Sequence, residues 1–164
     1  MKKIIPGGLV LAAALLATGA QAQSAPVPSA KPTIVLVHGA FADSSSWNKV
    51  ITILQRDGYT VVAASNPLRA VRADANVVAD VVKSIDGPVV LVGHSYGGSV
   101  ISEAAEGLPN VKGLVYVAAF APDTGETALG LTGQFPGSTL GPALAPPIRL
   151  TAGGNDLYIL HTPL

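Results

Sequence analysis

Gly93-His94-Ser95-Tyr96-Gly97-Gly98 flanks a serine with glycines two positions to either side, directly after the apolar run Val89–Val92. G-x-S-x-G at the point where a strand gives way to a helix is the spacing of a nucleophile elbow. The serine there sits on a sharp, strained turn, and side chains at 93 or 97 would clash with the chains closing on it. Ser95 is thereby pushed out at the carboxyl end of the strand. The helix that begins next to it presents its positive end to an anion formed on the hydroxyl's target. A glycine-rich turn of this kind could instead hold a phosphate. Neither G-x-G-x-x-G nor G-x-x-x-x-G-K-[ST] is present, so phosphate-loop and nicotinamide-binding readings both fail on spacing.

His38-Gly39-Ala40-Phe41 follows a second apolar run, Thr33–Val37. Where two such strands lie side by side, this loop falls beside Ser95. The backbone N–H of Ala40 and that of Tyr96, the residue after the serine, are then the expected donors of an oxyanion hole. Phe41 is the alternative donor, because spacing fixes the loop only to within a residue. His38 is a candidate general base, but its place at a strand end before the serine favours a structural loop histidine. His94 adjoins Ser95, so its side chain is expected to point away and pack under the turn.

These residues need elements to position them. Thr33–Val37 reads as a strand buried on both faces. Asp43 to Ser46 offers N-caps, Trp47, Val50, Ile51 and Leu54 fall at helical spacing, and Gly58 closes that helix. Thr60–Ala64 is a second strand. Val71 to Ile85 carries Val77, Val78, Val81, Val82 and Ile85 in a helical pattern. Val89–Val92, a helix from Gly97 to Glu106, and a strand from Gly113 to Ala119 complete the series. The alternation predicts a parallel α/β sheet with helices on both faces, in the strand order second, first, third, fourth. From Phe120 to Leu150 the chain is rich in glycine and proline, and no helix or strand is expected there. A stretch of that length reads as a lid or binding loop.

Composition narrows the function classes. The 164 residues are 49% hydrophobic and 12% charged, with ten basic and ten acidic residues and no cysteine. That supports one domain with a buried core. It excludes disulfides and thiolate chemistry, and the absence of a basic block argues against nucleic-acid binding. His38, His94 and His161 lack metal-ligand spacing, so neither a metal nor another cofactor is expected. Residues 1–22 read as a signal peptide: Lys2-Lys3, the apolar run Leu9–Leu16, then Ala20-Gln21-Ala22 before Gln23. A membrane anchor is the rival, but Ile4 to Gly19 is short for a span and contains Pro6, Gly7 and Gly8. The expected organisation is signal peptide 1–22, flexible leader 23–31, core 32–119, and a lid-like segment with the tail at 120–164. An exported protein, periplasmic or secreted, follows. No membrane span is expected after signal cleavage.

The stretches TIVLVHGAFADSSSW, GPVVLVGHSYGGSVISEAA and VKGLVYVAAFAPDTGE, spanning Thr33 to Glu126, resemble the α/β-hydrolase superfamily. The resemblance is to its small esterase-like branch, with plant methyl esterases and hydroxynitrile lyases. It implies a three-layer sandwich around a mainly parallel sheet, an ester-like small-molecule substrate, and a triad in the order serine, acid, histidine. It also implies further strands and helices beyond the lid, so the chain is expected to be C-terminally truncated, with the fold incomplete on that side. Asp123 and His161 are the residues that keep the triad order here. Asp123 lies in Ala121-Pro122-Asp123-Thr124-Gly125, where a turn role is the alternative. Little or no activity is expected of the chain alone, or a non-catalytic binding role on the same fold. The last core strand is expected to be an open edge prone to self-association.

Overall fold

The computed structural model describes residues 30–160. The expected signal peptide, most of the leader and His161 lie outside the described residues. The core elements are β1 (Thr33–Val37), a 3₁₀ turn (Ser44–Trp47), α1 (Asn48–Arg56), β2 (Val61–Ala64), α2 (Val71–Lys83), β3 (Val89–His94), α3 (Tyr96–Ala104) and β4 (Val111–Val117). The four strands are all parallel and lie in the expected order, β2-β1-β3-β4.

Both faces of the central strands are covered because successive residues are apolar and point to opposite sides. Val35, Val37, Val89 and Leu91 pack against Ala75, Val78 and Val82 of α2 and Val100, Ile101 and Ala104 of α3. Ile34 and Leu36 face the other way, against Trp47 with Ile51 and Leu54 of α1. Two apolar faces buried by helices on opposite sides make a three-layer sandwich. Val77 is exposed at 39%. The inward face of α2 runs instead through Asp74, Ala75, Val78 and Val82, with Val78 four and three residues from the first two and Val82 four beyond it.

The register decides where chemistry can occur. Val37 pairs with Gly93, and His94 pairs with Val117. The carboxyl ends of β1, β3 and β4 therefore finish at one level, and the segments that follow them meet there. β4 begins and ends two residues earlier than its apolar pattern predicts, and its pairing with β3 shifts by one residue between Val89 and Val90.

The segment from Phe120 to Leu150 is not structureless, contrary to the reading of its sequence. It forms α4 (Ala128–Gln134), α5 (Leu140–Ala143) and β5 (Ile148–Arg149), which pairs antiparallel with β6 (Asn155–Asp156). α4 starts where Thr127 Oγ1 accepts the N–H of Gly130 at 3.0 Å. Gly130, Thr132 and Gly133 are poor helix formers. None of the residues of α4 is buried, so no apolar stripe marked it.

Candidate active site

Ser95 occupies a backbone conformation that L-residues avoid, φ 53° and ψ −122°. Such a residue persists only where its surroundings hold it, at a cost of about 1–3 kcal/mol. Three backbone bonds do so here. Its N–H donates to Val117 O at 3.3 Å, and its carbonyl accepts the N–H groups of Gly98 at 3.0 Å and Phe120 at 3.1 Å. The flanking glycines are a steric necessity. A Cβ at 93 would come within 2.5 Å of Gly97 O, and one at 97 within 2.6 Å of Val37 O.

Ala40, Phe41, Ser95 and Tyr96 line one cleft of about 680 Å³. Among the described residues no charged one lines it; Phe120, Leu129, Phe135 and Leu140 from the lid side make much of its wall. The backbone N–H groups of Ala40 and Tyr96 donate to no protein acceptor among the described residues. Phe41, the alternative donor, has φ 61°, a left-handed conformation beside the strained serine. A second cleft of about 670 Å³ shares the Ala40–Phe41 segment and carries three charged residues, Asp43, Arg69 and Asp156, in its wall. Hydrogen bonds from Ser45 hold the Asp43 carboxyl below the usual aspartate range.

The histidines separate by their partners. His38 is 3% exposed. Its Nδ1 lies 2.9 Å from Gly39 O, which can only accept, and its Nε2 lies 3.0 Å from the Asn66 N–H, which can only donate. Both ring nitrogens are thus engaged, with the proton on Nδ1, and His38 is the structural loop residue its position suggested. The His94 ring lies edge-on to Trp47 with centroids 6.4 Å apart. Asp123 is exposed, and its carboxylate accepts the N–H of Thr124 at 2.7 Å within its own turn. It does not line the cleft. His161, the other triad candidate, lies outside the described residues.

One group escaped the sequence reading. Asp74 is fully buried and accepts the Tyr96 phenol O–H at 2.7 Å and the Arg69 N–H at 3.0 Å. Burial, then the bond to Asp74, raises the phenol's pKa well above the usual tyrosine value, so it stays protonated. The Arg69 side chain reaches Asp156 of β6 at 3.0 Å. Nothing in the spacing of Asp74 and Tyr96, 22 residues apart on two helices, announces the contact.

The family model "Alpha/beta hydrolase family" matches residues 34–161, spanning every element that builds this cleft. The chain belongs to the alpha/beta hydrolase family. As an α/β hydrolase it is similar to the carbendazim hydrolyzing esterase of Nocardioides sp., 34% identical over 110 residues. That alignment covers 59% of this chain and 46% of the esterase. It is also 34% identical over 110 residues to methylesterase 8 of Arabidopsis thaliana, covering 57% and 40% of the two chains. Among solved structures, the pyrethroid hydrolase of Sphingobium faniae superposes with a TM-score of 0.61 at 26% identity, over 74% of this chain and 53% of that one. An extracellular α/β hydrolase of a Paenibacillus species does so at 0.57 and 30% identity, over 69% and 50%. This α/β hydrolase thus spans about half the length of the relatives it matches. Among its described residues no helix is long and apolar enough to cross a membrane.

Proposed function

We propose that the chain is the nucleophile-bearing part of a serine hydrolase that acts on uncharged, largely apolar esters. The observation that carries this is the strained Ser95 lining a cleft in which no described residue is charged, with two amides that have no protein partner among the described residues. In this reading Ser95 Oγ attacks the ester carbonyl. The oxyanion of the tetrahedral intermediate accepts from the N–H groups of Ala40 and Tyr96, and the alcohol leaves to give an acyl-serine that water hydrolyses. Relatives named esterase and methylesterase support an ester as substrate. The apolar wall favours a bulky uncharged group over a charged one, because a charge there would lose its hydration unpaired.

The proton acceptor is not among the described residues. His38 is fully engaged, His94 packs on Trp47, and Asp123 is bonded within its own turn. Without an acceptor beyond the described residues, Ser95 is left with the roughly 10³–10⁴-fold over water that an oxyanion hole and binding supply. A fluorophosphonate probe tests this by intact mass: slow labelling, abolished in Ser95→Ala, is the expected result. No labelling at all rejects the hydrolase in favour of a binding protein on the same fold. Turnover of a nitrophenyl ester at ordinary esterase rates, lost in Ser95→Ala, rejects the slowness. The signal-like pattern before Gln23 supports export. An N-terminus at Gln23 in the periplasmic or culture fraction checks it, and an uncleaved chain in the cytoplasm refutes it.

A further inference from the structure

Asp74 has no exposed surface, and the chemistry at Ser95 does not use it. Its Oδ1 accepts the backbone N–H of Arg69, the residue before the Ala70 N-cap, a local bond across the start of α2. Its Oδ2 accepts from Tyr96, on a different helix. No guanidinium neutralises it: Arg69 turns outward to Asp156, and Arg72 to Glu103 at 2.8 Å. Burying a carboxylate without a cation costs several kcal/mol, offset only by bonds to its oxygens. A solvent-exposed aspartate could make the same local bond and favour the helix dipole without that penalty. The bond to Arg69 alone therefore leaves the burial unexplained. What burial adds is a phenol fixed in place, on the residue that follows Ser95 and opens α3.

Resting on the reading of Ser95 and Tyr96 given above, we propose that Asp74 is a positioning residue that holds the Tyr96 phenol and so aims the Tyr96 amide at the oxyanion. The side chain and the amide share one Cα. With the ring anchored, the first turn of α3 has a single orientation over the cleft. The donor is then preorganised, which is the condition under which such amides stabilise developing charge. An unanchored ring would leave that turn to settle by its backbone bonds alone.

The slow, base-free phosphonylation of Ser95 isolates the amides' contribution. Its maximal rate and its probe affinity are measured separately in the wild type, Tyr96→Phe, Asp74→Leu and the double variant. Each single change should lower the maximal rate about tenfold and leave probe affinity unchanged, a fraction of the ~10²–10³ lost with a whole oxyanion donor. The double variant should be no slower than either single one, because both remove the same bond. Tyr96→Phe keeps the ring in the core and decides the matter if Asp74→Leu does not fold, as read by circular dichroism. A folded Tyr96→Phe within twofold of the wild type overturns the proposal, as does a change confined to probe affinity or an additive double variant. A wild type that never labels removes the reading of Ser95 and the role of Asp74 with it. Normal wild-type labelling beside an unaffected Tyr96→Phe removes the role of Asp74 alone.

Discussion

A Cβ placed on Gly39 would lie 2.9 Å from the Cβ of Ser95 and 3.0 Å from the carbonyl oxygen of His94. The loop after β1 and the turn after β3 are in contact with no room for a methyl group between them. One obstacle is backbone, which cannot swing aside as a flexible side chain can. Gly39→Ala should push the loop, and the Ala40 amide with it, away from Ser95. The expected result is at least about a tenfold slower labelling of Ser95. Overpacking should also cost about 1–3 kcal/mol, read as a lower melting temperature. Labelling at the wild-type rate would show that the loop's distance from Ser95 is immaterial.

His38 should matter for stability and not for proton transfer. His38→Ala leaves the N–H of Asn66 buried without its 3.0 Å acceptor. An orphaned buried donor costs about 1–3 kcal/mol, which denaturant melts would resolve. Ser95 labelling in the folded variant should change only modestly. A collapse of labelling with unaltered stability would return His38 to the role of base.

Asp123 is expected to be dispensable. In Asp123→Asn the side-chain oxygen can still accept from Thr124, so the turn is kept while the charge is lost. Labelling should be unchanged and stability should move by less than about 0.5 kcal/mol, as for most surface substitutions. A tenfold fall in labelling would mark Asp123 as the acid after all.

The β4 edge should drive self-association. Val115, Tyr116 and Val117 are 45%, 38% and 41% exposed on a strand with one neighbour only among the described residues. Unpaired apolar edges of this kind template strand pairing, and lysine on an edge opposes it. Val115→Lys should shift the protein toward monomer in sedimentation velocity. Equal association of both forms would place the contact elsewhere.

Strand positions and order were legible because β1, β2 and β3 are short β-branched runs between turn residues, and parallel crossovers allow few arrangements. The strained turn at Ser95 was legible because its constraint is steric and local: glycines two residues away are visible in the chain. The clustering of Ala40, Phe41 and Tyr96 around it followed from the two loops closing adjacent strands. Asp74 was illegible because its partner is remote in sequence and an aspartate near a helix start has an ordinary reading as a cap. α4 was hidden by Gly130 and Gly133 and by the absence of a buried face. Phe41 and Leu68 adopt φ near +60° without being glycine, asparagine or aspartate, so nothing in their type signals the turn.

The Ser95 N–H is pinned to the last residue of β4, and its carbonyl is pinned to Phe120 just beyond that strand. The contorted serine, which follows the central strand β3, is therefore also stapled to β4, an edge strand among the described residues. Fraying at that border would let the turn relax into an ordinary conformation and retract the hydroxyl. Reactivity at Ser95 and the integrity of the sheet's rim should consequently be lost together on warming, ahead of the collapse of the Leu36 and Leu91 interior.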